Sequence, residues 1–140
     1  MGARTIAREC GLMVLFAVDV SPADADKAVA DFFRHIAPTS DIEADADARA
    51  YTEELVRGVA GDLAAIDKVI AAASTHWRIE RMPRVDRNVL RIAAWELQQG
   101  VGRAVVIDEA VELAKRFGNE GSGAFVNGVL TKIADDVGAT

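Results

Sequence analysis

The chain has 140 residues, of which 51% are apolar and 27% are charged, and its formal net charge is −6 at pH 7. This length suits one compact domain, and the negative charge argues against a protein that coats nucleic acid indiscriminately. The single cysteine excludes an internal disulfide framework and a multi-cysteine zinc site. No apolar run approaches the roughly 20 residues of a membrane span, and no signal peptide is apparent, so we expect a cytoplasmic protein.

Apolar residues recur at three- and four-residue spacing through the first half of the chain, which predicts amphipathic helices. The first helix is expected over residues 4–18, and the second runs from about 21 to 36. A long third helix is expected over residues 47–74. Within it, Gly58 and Gly61 would allow close packing or a slight bend.

The pattern breaks over residues 76–83, where we place the junction between two helical halves. The halves cover residues 1–75, with about three helices, and residues 76–140, with three to four helices. We therefore predict an all-α protein, a compact helical bundle of two subdomains that make up a single domain.

Three helices are expected in the second half. Pro83 suits the first position of a helix that reaches about Gln99, where two nearby glycines stop it. Another helix covers about 105–117 and ends at Gly118, which we expect to be a left-handed cap. The last helix starts near Ser122.

The sequence offers little for catalysis or metal binding. His35 and His76 are far apart in the chain, and neither has a second histidine at ligand spacing. Cys10 falls in an apolar helical stripe, which favours an inert buried thiol. The glycine-rich segment 118–123 lacks the Lys-Ser/Thr ending of a phosphate-binding loop. We find no acid–base constellation and do not expect an enzyme.

Charge is distributed unevenly along the chain. Residues 21–55 carry nine acidic and three basic side chains, whereas residues 76–105 carry six arginines against three acids. A polyanion would therefore contact the second half, joined by the arginines near the N-terminus.

Three arginines, Arg84, Arg87 and Arg91, recur at helical spacing and share one face of the helix after Pro83. Two interpretations stay open. The face is either solvated and paired with acids such as Asp86 or Glu80, or a shallow basic surface for RNA phosphates. The rings that could stack on unpaired bases are Trp77, Phe16 and Phe125, although each such residue is more often part of a core.

Four segments resemble the NusB family of transcription antitermination factors: residues 8–10, 85–97, 106–118 and 125–130. The last two, in order and close together, are the most specific. The resemblance covers nearly the whole chain and implies an all-α fold of two subdomains, with no catalysis and no cofactor.

The resemblance also implies partners. Family members bind the boxA element of nascent RNA together with NusE, a small-subunit ribosomal protein. The complex helps RNA polymerase to read through terminators. Some members are monomers, and others form homodimers that cover the RNA surface.

Carried over by position, the family's RNA-binding surface includes two arginines of the N-terminal arm, two residues of the central helix and two aromatic rings. These residues are Arg4, Arg8, Phe16, Asp86, Arg91 and Phe125.

Several positions depart from the family pattern. Thr5 and Ile6 interrupt the arginine run of the arm, and Gly121, Gly123 and Ala124 stand where charged residues are common. Each lost phosphate contact lowers RNA affinity. The chain is accordingly either an RNA-binding antitermination factor that works with NusE, or a NusB-like interaction module. Such a module would bind NusE or a second copy of itself, with weak or lost boxA recognition.

Overall fold

The computed structural model describes residues 2–17 and 21–140, and every regular element in these ranges is a helix. The predicted all-α class is confirmed. Val18, the expected last residue of the first helix, lies outside the described ranges. None of the described helices is both long and apolar enough to span a membrane. The α-helices are α1 (Ala3–Ala17), α2 (Ala25–Asp31), α3 (Ala46–Gly61), α4 (Leu63–Ala73), α5 (Arg84–Gln98), α6 (Arg103–Phe117) and α7 (Ser122–Asp136).

Tertiary contacts divide the chain into two compact units, residues 1–61 and 62–140. This boundary differs from the predicted junction over residues 76–83. The reason is that α4 packs against α5 and α7, so it belongs with the helices that follow it.

In the first unit, α1 and α2 both pack against α3. Gly11 allows the close approach of α1 to α3, because a Cβ there would lie 2.8 Å from a methyl carbon of Leu55. The expected helix over 47–74 is wrong as a single element. It ends at Gly61, and Asp62 leaves the helical conformation with φ −127° and ψ 25°. Glycine in a helix is disfavoured, which suits the break.

The second predicted helix is also shorter than expected. After α2, the chain forms a π-helix over Phe32–Ile36 and a 3-10 turn over Ala37–Thr39. Phe32 and Phe33 are both buried, and their rings meet edge to face at 5.2 Å. The wider π turn accompanies the burial of two consecutive rings, which a regular amphipathic stripe does not predict.

The second unit is built around α5, which packs against α4, α6 and α7. It begins directly after Pro83, as expected, and Gly100 ends it in a left-handed conformation with φ +85°. Gly118, however, is not left-handed, because its φ of −93° and ψ of −162° are extended. Glycine is needed there for space, since a Cβ would lie 2.7 Å from the carbonyl oxygen of Ala114.

Candidate nucleic-acid interface

Arg4 lies exposed in the first turn of α1. Its guanidinium carbon is 4.5 Å from the centroid of the Tyr51 ring on α3. A guanidinium stacked on a ring keeps its N–H groups in its own plane, where they can donate to a phosphate. Tyr51 is itself buried, so Arg4 rests on a fixed surface.

Arg8, one turn further along α1, is only 3% exposed. It belongs to a run of six consecutive buried residues from Ala7 to Leu12. Of the two arginines that the resemblance assigns to the N-terminal arm, only Arg4 is therefore exposed to solvent. Sequence spacing alone could not reveal this difference.

The three aromatic candidates differ in exposure. Phe16, near the end of α1, is 43% exposed, and Phe125, in the first turn of α7, is half-buried. Trp77 is 54% exposed, more than any other aromatic side chain in the described ranges. All three can present at least part of a ring to solvent, and the RNA contacts of Phe16 and Phe125 stay predictions.

The arginines of α5 have different surroundings. Arg84 is exposed, whereas Arg87 is partly buried and donates a long hydrogen bond of 3.4 Å to the carbonyl oxygen of Ile79. Arg91 forms a two-pronged ion pair with Asp67 of α4, with Nε–Oδ1 and Nη2–Oδ2 distances of 2.8 and 2.9 Å. The stripe is therefore not a uniform basic face.

Asp67, the partner of Arg91, was not predicted from the sequence. The expected acidic partners of the stripe were Asp86 and Glu80, which are close in sequence. Asp67 instead precedes Arg91 by 24 residues, so no local pattern links the two. Only the packing of α4 on α5 brings them together.

Asp86 is 3% exposed in the first turn of α5, where a negative charge suits the helix dipole. Its Oδ1 atom is buried and has no hydrogen-bond partner among residues 2–17 and 21–140. Buried acceptors are almost always satisfied in native proteins. Asp86 is therefore buried at the start of α5 and is not presented to a ligand in this structure.

Gly123, in the first turn of α7, has a packing role. A Cβ on Gly123 would lie 3.0 Å from Cγ and 3.3 Å from Cε of Lys115, because the Lys115 stem crosses this glycine. Lys115 is exposed on α6. It therefore places a cation beside residues 121–124, which carry no charged side chain, and Lys115 was not predicted from the sequence.

Among the described residues, Cys10 is the free thiol, and its surroundings do not favour reactivity. Cys10 is fully buried, and this burial, with a smaller contribution from the charge of Glu9, raises its pKa to about 11. The thiol therefore stays protonated near neutral pH and is a poor nucleophile. In the described part of the chain, no group of three or more His, Cys, Asp or Glu residues could hold a metal ion.

Comparison with known proteins identifies the family. The NusB family model matches residues 5–135. The transcription antitermination protein NusB of Sorangium cellulosum (strain So ce56) is 56% identical over 140 residues, covering 99% of this chain and 96% of that protein. A solved T. maritima NusB is 34% identical with a TM-score of 0.74, covering 95% of this chain and 91% of the other. A structure of antitermination factors NusB and NusE in complex with dsRNA is 29% identical with a TM-score of 0.76. The match covers 96% of this chain and 97% of that chain. The resemblance carried by the four sequence segments is confirmed, and the chain belongs to the NusB family.

Proposed function

We propose that this chain is an RNA-binding transcription antitermination factor. It binds boxA-type RNA together with NusE and promotes read-through by the RNA polymerase elongation complex in the cytoplasm. The observation that carries the proposal is the 56% identity, over nearly the full length of both chains, to a transcription antitermination protein. The complex of NusB and NusE with dsRNA supports the choice of partners. The protein acts by binding, and we assign it no catalytic step.

The first unit contributes an N-terminal phosphate contact and a stacking ring. Arg4 and Phe16 lie near opposite ends of α1, and twelve residues of helix span about 18 Å. One nucleotide cannot touch both side chains. We assign Arg4 to the phosphate backbone and Phe16 to a splayed base further along the strand.

The second unit contributes Arg91 and Phe125, supplemented by Lys115. Arg91 is held in a fixed orientation by Asp67, and its side chain remains 16% exposed. Lys115 supplies a phosphate contact beside α7 in place of the charged residues that Gly121, Gly123 and Ala124 do not provide. We assign Asp86, which is buried in α5, to positioning the second unit's contact residues rather than to direct RNA contact. Arg8, which is buried in α1, has the corresponding positioning role in the first unit.

The alternative is a NusB-like interaction module that binds NusE, or a second copy of itself, with weak boxA recognition. The burial of Arg8 and the ion pair between Arg91 and Asp67 favour it. Both remove positive charge from the predicted contact set, on a chain whose net charge is already −6.

Fluorescence anisotropy with a labelled boxA-type RNA tests the proposal, with and without NusE and over a salt series. We expect binding that NusE strengthens and that salt weakens, with a log–log slope of about −0.7 for each phosphate contacted. Arg4→Gln should reduce that slope, and the matched control Arg34→Gln, which removes an exposed charge from the π-helix, should not.

No binding by the wild-type protein at low salt, with NusE present, would reject RNA-binding antitermination. If NusE still forms a complex with the chain under those conditions, the interaction module is the better account. Light scattering on the free chain would then show whether it also forms a homodimer.

A further inference from the structure

A cavity of about 660 Å³ lies in the second unit, between the C-terminal end of α4 and the 3-10 turn over Ile79–Arg81. Its lining includes Trp77, Arg78, Arg81 and His76. None of these side chains belongs to the RNA contact set proposed above. The volume falls within the range of about 300–1,000 Å³ that is usual for small-ligand sites.

The cavity combines a flat aromatic ring with positive charge. Trp77 is 54% exposed, although a tryptophan of this size is normally buried over most of its surface. Arg78 and Arg81 are also exposed, and in the described ranges neither guanidinium forms an ion pair with an acidic side chain. No acidic residue is among those that line the cavity, although Glu80 is exposed on the same turn.

The backbone around the cavity is held in place. Ser74 Oγ donates to the carbonyl oxygen of Trp77 at 3.1 Å, and the Arg81 N–H donates to the carbonyl oxygen of Arg78 at 3.0 Å. Arg87 of α5 donates to the carbonyl oxygen of Ile79. A ligand that binds here therefore orders side chains rather than a loop, which lowers the entropy cost of binding.

We propose that this cavity is a further RNA subsite, in which one nucleotide of single-stranded RNA stacks its base on the Trp77 indole and places a phosphate against Arg78 and Arg81. The inference rests on the proposed function, which it extends to a second surface. A nucleotide suits this cavity because its base can stack on the indole ring of Trp77 and its phosphate can bind the guanidinium groups of Arg78 and Arg81.

Affinity measurements test the subsite with full-length protein, NusE and a labelled boxA-type RNA extended by six adenosines at each end. Trp77→Ala should weaken binding about tenfold, and Trp77→Phe should retain most of the affinity. The double variant Arg78→Gln/Arg81→Gln should reduce the salt slope by about 1.4, the value for two phosphates of single-stranded RNA. The matched control Arg34→Gln/Lys132→Gln also loses two exposed charges, but lies outside the cavity and should change the slope little.

Tryptophan emission gives a direct measurement at the site. The chain has two tryptophans, and Trp95 is only 6% exposed, so stacking should quench mainly Trp77. The same RNA should therefore quench the wild-type protein, and Trp77→Phe should abolish most of the quenching. Circular dichroism on each variant confirms that the fold is kept.

The outcomes separate the two proposals. If the wild-type protein binds the RNA but Trp77→Ala and Arg78→Gln/Arg81→Gln bind within twofold of it, the subsite is overturned and the proposed function stands. If the wild-type protein does not bind even with NusE, the proposed function fails and the subsite with it. If the variants lose binding only to a labelled eight-residue oligoglutamate peptide, the cavity serves an acidic protein segment, which also overturns the inference.

Discussion

The guanidinium of Arg91 donates hydrogen bonds to both carboxylate oxygens of Asp67, at 2.8 and 2.9 Å, and so ties α5 to α4. The two side chains are only 16% and 26% exposed. A bidentate pair with this little exposure is screened less than a surface ion pair and holds the guanidinium in one orientation. Arg91 therefore has a defined geometry for recognition, but a charge that is largely compensated.

Breaking this pair should destabilise the second unit. We expect Asp67→Asn to lower the free energy of unfolding by about 1–2 kcal/mol, because the partly buried guanidinium loses its charged acceptor. Chemical denaturation measures the change. The control is Asp31→Asn, which removes the exposed pair between Lys27 and Asp31 and should destabilise the protein less than Asp67→Asn does, because solvent screens an exposed pair. Equal effects of the two substitutions would show that exposure does not set the strength of these pairs.

The same pair should limit RNA affinity. If Arg91 contacts a phosphate, Asp67→Asn should tighten boxA binding at low salt and increase the magnitude of the salt slope by up to about 0.7. Arg91→Gln should have the opposite effect on both quantities. Anisotropy titrations with folded variants give the comparison. Unchanged slopes in both variants would place Arg91 outside the RNA contact set.

Gly118 should tolerate no larger residue. A Cβ there would lie 2.7 Å from the backbone carbonyl oxygen of Ala114, which cannot move without distorting α6. We expect Gly118→Ala to lower the free energy of unfolding by about 1–3 kcal/mol. The control, Gly128→Ala, lies in α7 with no atom within 4 Å of the added carbon, and should raise stability by about 0.5–1 kcal/mol. Thermal or chemical denaturation shows whether each substitution lowers or raises the free energy of unfolding. A Gly118→Ala variant as stable as the wild type would contradict the predicted clash with the Ala114 carbonyl oxygen.

Cys10 should make unfolding pH-dependent in the alkaline range. Its pKa is raised from 9.0 to about 11, mainly by burial, so the folded state holds the proton more tightly than the unfolded chain. The stability from this group is complete below pH 9 and is lost progressively as pH rises toward about 11. Cys10→Ala, compared with the wild type by denaturation at pH 8 and pH 10.5, should show a smaller decline between these two pH values.

The reactivity of the same thiol provides a second measurement. A thiol reagent should label Cys10 slowly in the folded protein at pH 8 and rapidly in denaturant, because the thiolate is the reactive form and the side chain is fully buried. Rapid labelling of the folded protein would contradict the burial of Cys10.

Helix positions were largely predictable, and the exceptions have physical causes. The start of α5 after Pro83 and its end at a glycine depend on backbone preferences of those residues. The break at Gly61 was underestimated, because apolar residues recur at helical spacing on both sides of it and periodicity does not mark a local change in backbone conformation. The π-helix was missed for a related reason, since apolar spacing assumes a regular turn throughout.

The amino-acid sequence by itself determined the helical class and the family, because apolar periodicity and short motifs are properties of neighbouring residues. It also led to predictions of which residue types would contact RNA. Only the tertiary structure decided which of them are available. Arg4 is exposed while Arg8 is buried, and Asp67 reaches Arg91 from another helix. Exposure and ion pairing depend on residues that are distant along the chain, so spacing within one helix cannot determine them.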